Sequence, residues 1–176
     1  MMLALIAVLS VGAVPGHGAE VPHDLALAVM LKVLTYDVNF KARGDGEFVV
    51  LVPHVSGHAE QAKELVSLAS GLTLRAINAR SLKFVAVAAS ELGAAKGSAV
   101  LLPPGSSAEL ARTALSASLE KKLYLMAFEE ALVREGAMIG VSSNDGKPQV
   151  VLNMQTSRQL GVELGSAVLR VARTYH

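Results

Sequence analysis

Apolar residues fall into short unbroken runs separated by stretches with helical spacing, and the alternation lays out the elements in order. From Asp24 to about Lys41 the sequence DLALAVMLKVLTYDVNFK is apolar except for Asp24, Lys32, Thr35 and Asn39, which recur on one side at helical spacing. The pattern predicts a mostly buried helix, opened by Pro22 and Asp24 and ended by the turn Arg43 to Gly46, with the polar stripe as its solvated edge. Phe48 to Pro53 (FVVLVP) is a β-branched run of the kind found in strands covered on both faces. Ser56 stands where a helix cap belongs, and Ala59, Ala62, Leu65, Val66 and Ala69 give the next helix its apolar stripe up to Gly71. Leu72 to Ile77 reads as a short strand or an extended connection, and Lys83 to Ala88 as a strand.

Ser90 to Ala95 reads as a short helix before Gly97, and Ala99 to Pro103 as another buried strand. Ser106, Ser107, Ala108 and Glu109 spell a capping box, in which a Ser hydroxyl and the Glu carboxylate each satisfy a free amide of the first helical turn. Leu123 to Ala127 is a further strand, and Glu129 to Arg134 a brief helix. Ala137 to Val141 and Gln149 to Asn153 flank Asn144, Asp145 and Gly146, which tolerate positive φ, so a β-hairpin is expected there. Gln155 to Leu160 makes one or two helical turns ending near Gly161, and Ser166 caps a last helix to about Arg173. On that helix Ser166, Arg170 and Arg173 share one side. This rhythm predicts an α/β fold: a Rossmann-like layered sandwich with a mainly parallel sheet, a C-terminal antiparallel hairpin and a terminal helix.

The first nineteen residues stand apart. Met1 to Ala19 carry no charged side chain, and the apolar run Leu3 to Val14 gives way to Pro15, Gly16, His17, Gly18 and Ala19. The run is too short to span a membrane, which takes about 20 apolar residues. It reads as a signal peptide over 1–19, with a first buried strand or helix of the fold as the alternative; no Lys or Arg precedes it, and the signal reading implies export to the periplasm and no membrane span once it is removed. Residues 20–176 are then expected to form a single domain. Of the whole chain 52% is hydrophobic and only 4% aromatic, so the core must be built from Ala, Val and Leu. A net charge of +1 supplies no field that would gather nucleic acid. Cysteine is absent, which removes disulfides, thiolate metal sites and a cysteine nucleophile from consideration.

Candidate chemistry is confined to loops. There is no GxGxxG opening a helix, no phosphate-binding P-loop, no GxSxG elbow and no HExxH helix. Two loops fall at the expected carboxyl ends of strands, where α/β folds bind ligands: His54, Ser56, Gly57 and His58, and Gly105, Ser106 and Ser107. Each precedes a helix whose free amides favour an anion, and each is also explained as an ordinary polar loop and cap. The two histidines, four apart, have no evident further ligands, so neither a metal nor a cofactor is expected. Glu129 and Glu130 are adjacent, diverge on a helix and suit its N-terminus better than acid–base catalysis, so no catalytic residue is assigned. Arg158, Arg170 and Arg173 read as a solvated basic edge, and Met126, Met138 and Met154 as core filling.

The stretch EGAMIGVSSNDGKPQVVLNMQTSRQLGVELGSAVLRVAR, from Glu135 to Arg173, resembles the C-terminal signature of the YfiR-like family of exported bacterial regulators. The early block VPHDLALAVMLKVLTYDVNF resembles that family's first helix. By position, Gly136, Asn153, Arg158, Gly161, Leu169 and Arg170 match the signature, as residues that define the fold rather than a partner surface. The resemblance implies a periplasmic, non-enzymatic regulator that works by protein–protein binding. The partner it implies is the periplasmic sensor domain of a membrane-bound diguanylate cyclase, restrained so as to control cyclic-di-GMP and biofilm output. A homo-oligomer is compatible with it, and a small-ligand-binding periplasmic module is the alternative. Redox regulation through disulfides does not carry over to a chain without cysteine.

Overall fold

A computed structural model describes residues 21–176; the expected signal peptide lies outside the described residues. Helix α1 (His23–Leu34) opens directly after Pro22. Strand β1 (Phe48–His54) leads to α2 (Ala59–Gly71), and a hairpin of β2 (Ala76–Ile77) and β3 (Arg80–Ala88) follows. Strand β4 (Ala99–Leu102), α3 (Ala108–Lys121), β5 (Tyr124–Ala127) and α4 (Glu130–Arg134) continue the alternation. The chain closes with β6 (Ile139–Asn144), β7 (Lys147–Asn153), α5 (Met154–Leu160), α6 (Ser166–Leu169) and β8 (Arg173–Tyr175).

The strands form one sheet in the order β2-β3-β1-β4-β5-β6-β7-β8. From β3 through β6 neighbours run parallel; β2 is antiparallel to β3, β7 is antiparallel to β6, and β8 runs parallel to β7. The expected layered α/β sandwich with a mainly parallel sheet and a late antiparallel hairpin is what forms. The fully buried runs of β4 and β5 need apolar side chains on both faces, and AVLL and YLMA supply them. Helices α1 and α2 touch each other and pack on β6–β7 and β1–β3, while α3 packs on β1, β4 and β5 and touches α5. The chain leaves β1 toward β3 and then returns across it to β4, so the winding direction reverses between β1 and β4.

Several boundaries differ from the pattern, each for a local reason. The first helix stops at Leu34 instead of Lys41, because Asp37 turns its carboxylate onto the backbone amide of Asn39 (3.0 Å) and bridges to Leu164; only a 3₁₀ turn, Phe40–Arg43, follows. Ser56 does not cap α2: Gly57, at φ +84°, turns the chain and leaves His58 at the cap position without a side-chain bond. The cap of α3 is Ser107, whose Oγ accepts from the amide of Leu110 at 3.2 Å. The position three beyond it is therefore Leu110, and Glu109 has no reciprocal place, while Ser106 donates to the carbonyl of Pro103. The expected helix over Ser90 to Ala95 is a 3₁₀ turn, Ala89–Glu91.

At the C-terminus the last helix is a single turn begun by Gly165, with Ser166 inside it. The chain then extends as β8 along β7, because Gln149 Nε2 donates to the carbonyl of Val171 and Glu130 accepts from Arg173 and Tyr175. The β6–β7 turn is as expected: Asp145 and Gly146 both have positive φ, and Asn144 pairs with Lys147.

Candidate functional site

The reversal between β1 and β4 opens a crevice at the carboxyl ends of the two strands, the place where doubly wound sheets receive ligands. Its walls come from both loops singled out in the sequence: His54 and His58 on one side, Gly105, Ser106 and Ser107 on the other. Ser56 and Gly57 stay outside the lining, in the turn that positions His58. Gln61 and Leu110 complete the wall from the first turns of α2 and α3, and their helix positions give no signal by residue type. The cavity is about 100 Å³, room for a small polar group and not for a drug-sized molecule.

Two helices of more than three turns begin at this crevice. The cap position of α2 carries no side-chain acceptor, and at α3 Ser107 satisfies only the amide of Leu110. The histidine rings are held locally, His54 Nδ1 3.3 Å from the carbonyl of Val55 and His58 Nδ1 3.4 Å from that of Ser56. Gly105, at φ +71°, offers its amide to Glu129 Oε1, which ties the crevice loop to the β5–α4 loop. Glu130 diverges from its neighbour and accepts from Arg134, Arg173 and the Tyr175 hydroxyl. The Tyr175 bond first, and Arg134 second, pull its carboxyl down to about 2. The two glutamates thus serve as structural acceptors on separate partners. Among the described residues no three or more His, Cys, Asp or Glu gather as metal ligands, and no helix is long and apolar enough to cross a membrane.

The opposite, amino edge of the sheet holds a network that residue pattern did not reveal. Asp37 is fully buried at its side chain and accepts four bonds: from Arg43 Nε (2.7 Å), the Tyr124 hydroxyl (2.7 Å), and the amides of Asn39 and Glu163 (3.0 Å each). Arg43 also reaches the carbonyls of Lys122 and Leu160 and lies over the Tyr124 ring. Burial, and then the bond to the Asp37 carboxylate, push the Tyr124 hydroxyl well above its ordinary range, so it stays a neutral donor. Phe40 and Phe48 stack beneath, and Arg80 spans their rings to the carbonyls of Gly46 and Glu47. Every strong acceptor here is used within the fold, which makes this edge a brace.

The signature positions divide in the same way. Asn153 caps α5 through the amide of Thr156 and donates to the carbonyl of Val133; Gly161 ends α5 at φ +70°. Gly136, at φ +135°, lies where a Cβ would meet Leu115 at 2.7 Å. Leu169 packs against the core, Arg158 bonds its own helix at Met154, and Arg170 is exposed.

Comparison with known proteins agrees with this geometry. No curated protein matches the chain in sequence. Among solved structures, the ABC domain in complex with L-Trp from Streptococcus pneumonia is similar at TM-score 0.50 and 16% identity, over 81% of this chain and 62% of that one. A conserved domain protein from Vibrio cholerae O1 biovar El Tor is similar at TM-score 0.57 and 14% identity, over 84% of this chain and 58% of that one. The chain therefore spans about three fifths of each, and at these identities the likeness is one of fold. A family model described as YfiR/HmsC-like matches residues 24–173, from the first turn of α1 to the start of β8, and the chain belongs to the YfiR/HmsC-like family.

Proposed function

We propose that this protein is a non-enzymatic periplasmic regulator that acts by binding another protein. Its partner in this reading is the periplasmic sensor domain of a membrane-bound diguanylate cyclase, which it restrains, so that cyclic-di-GMP and biofilm output fall. The observation that carries the reading is the family match over 24–173. The polar networks are in keeping with it, since Asp37 and Glu130 accept several bonds from within the fold and Glu129 Oε1 accepts from the amide of Gly105. The test is co-purification of the tagged chain from an envelope fraction, with cyclic-di-GMP measured in a deletion strain. A cyclase in the eluate and a raised cyclic-di-GMP level are expected. Recovery of the protein alone from the cytoplasm, with cyclic-di-GMP unchanged, would overturn it.

The crevice between β1 and β4 favours a second reading, a module that binds a small anionic group. Two helix starts and two histidines face one small cavity, an arrangement whose free amides suit a carboxylate or phosphate. A thermal-shift series with inorganic phosphate, nucleotides and amino acids, L-tryptophan among them, tests it, because a ligand of the native state raises Tm once its concentration exceeds Kd. A shift lost in the His54→Ala, His58→Ala double variant is expected. No shift with any of these probes removes this reading and leaves the first intact.

A further inference from the structure

A second cavity lies farther along the carboxyl edge of the sheet. Strand β5 ends at Ala127 and meets β6 only through Met126 and Ile139, so β6 runs on to Asn144 with β7 as its one partner among the described residues. The space left beside it, about 530 Å³ between the starts of α1 and α4, is of the size that holds a small molecule. His23 and the buried Phe128, their rings 4.7 Å apart, give it an apolar wall together with Val141. Among the described residues five buried side-chain N or O atoms have no hydrogen-bond partner, and three of the five line this one cavity: Glu129 Oε2, Ser142 Oγ and Ser143 Oγ. Buried polar atoms are as a rule paired, so three in one place point to a bound group.

Charge decides which kind of group. Glu130 has counter-ions in Arg134 and Arg173, a further donor in Tyr175, and the Ser142 hydroxyl near enough to serve it as well. Glu129 has no such company: Oε1 accepts from the amide of Gly105, Oε2 accepts from nothing, and among the described residues no basic side chain pairs with it. We propose that this cavity binds a small primary amine with an apolar body, its ammonium donating to Glu129 Oε2 and the Ser143 hydroxyl while the body lies against Phe128 and Val141. An ammonium brings three donors and the missing positive charge in one group, and a hydrogen bond between two ions is the stronger kind. An amino acid fits poorly, because no Lys or Arg lines the cavity and its carboxylate would face an uncompensated anion. The preference is opposite to that of the β1–β4 crevice, and it goes beyond the regulatory reading without depending on it.

Isothermal titration calorimetry of the purified protein with 2-phenylethylamine tests the proposal, with 2-phenylethanol, phenylacetate and L-phenylalanine as matched probes and circular dichroism confirming that each variant is folded. The amine is expected to bind, and each matched probe to bind about tenfold more weakly or not at all. Glu129→Gln keeps an acceptor for the Gly105 amide but loses the charge, and should raise the amine Kd by about tenfold or more. Ser143→Ala should raise it by about threefold to tenfold. The His54→Ala, His58→Ala double variant should bind the amine as the natural sequence does. Absence of amine binding up to millimolar concentration overturns the proposal, as does a matched probe that binds as tightly as the amine. So does a Kd unmoved by both Glu129→Gln and Ser143→Ala, or amine binding that is lost in the double histidine variant.

Discussion

Replacing Asp37 by alanine is the most demanding test of the brace at the amino edge. The substitution removes the acceptor of four bonds at a side chain with 0% exposure and strips Arg43, itself only 13% exposed, of its counter-charge. Leaving one member of a buried pair without the other costs about 3–5 kcal/mol. The Tyr124 hydroxyl and the amides of Asn39 and Glu163 lose their acceptor as well, at about 1–3 kcal/mol for each donor that water cannot reach. A loss of about 4 kcal/mol or more is expected, a large part of the roughly 5–15 kcal/mol that holds a domain folded. Tyr124→Phe removes one donor and leaves the carboxylate three, so it should cost only about 1.5–3 kcal/mol. In the double variant the tyrosine is no longer orphaned, and the two losses should fall short of additive by about 1–3 kcal/mol. Urea unfolding followed by circular dichroism reads all three, as shifts in midpoint at constant slope. A loss below about 1 kcal/mol for Asp37→Ala, or strict additivity, would refute the reasoning.

Three further outcomes follow from particular contacts. Glu130, with its carboxyl lowered from 4.5 to about 2 by Tyr175 and then Arg134, contributes stability above pH 4.5 that is lost as pH falls toward 2; NMR titration should show the low midpoint, and Tyr175→Phe should raise it. Gly140→Ala should destabilise by about 1–3 kcal/mol in thermal unfolding, because its Cβ would stand 2.7 Å from Val133 Cγ2 and 2.8 Å from the carbonyl oxygen of Ala127, which belongs to a central strand and cannot yield. Ser107→Ala should cost about 1 kcal/mol in urea unfolding through loss of the α3 cap, and a larger loss for Glu109→Ala would contradict the cap assignment.

What the sequence made legible were the features carried by local pattern. FVVLVP and AVLLP announce buried parallel strands because no polar residue interrupts them, and Asp145–Gly146 announces its turn because few residue types accept two successive positive φ values. The β2–β3 turn makes the same demand through Asn78 and Ala79, and an alanine at φ +67° gives no compositional hint of it. The two loops of the crevice were each visible, yet their meeting depends on the chain crossing back over β1, which no spacing encodes. Asp37 was hidden for a related reason: it sits in a run that reads as helix, and its partners lie as far away as Tyr124 and Glu163. β8 was hidden because three residues are too few to show a period of two.

The bond from the Glu163 amide to Asp37 also sets a clock on folding. It closes a separation of 126 residues, so the brace cannot be completed until nearly the whole chain is present. A chain emerging from its N-terminus, or one clipped ahead of Leu160, can bring Arg43 to Asp37 but lacks the backbone that both side chains must meet. Such a chain leaves Arg43 without the carbonyl of Leu160 and Asp37 without the amide of Glu163, and the last segment to arrive is the one that completes the brace.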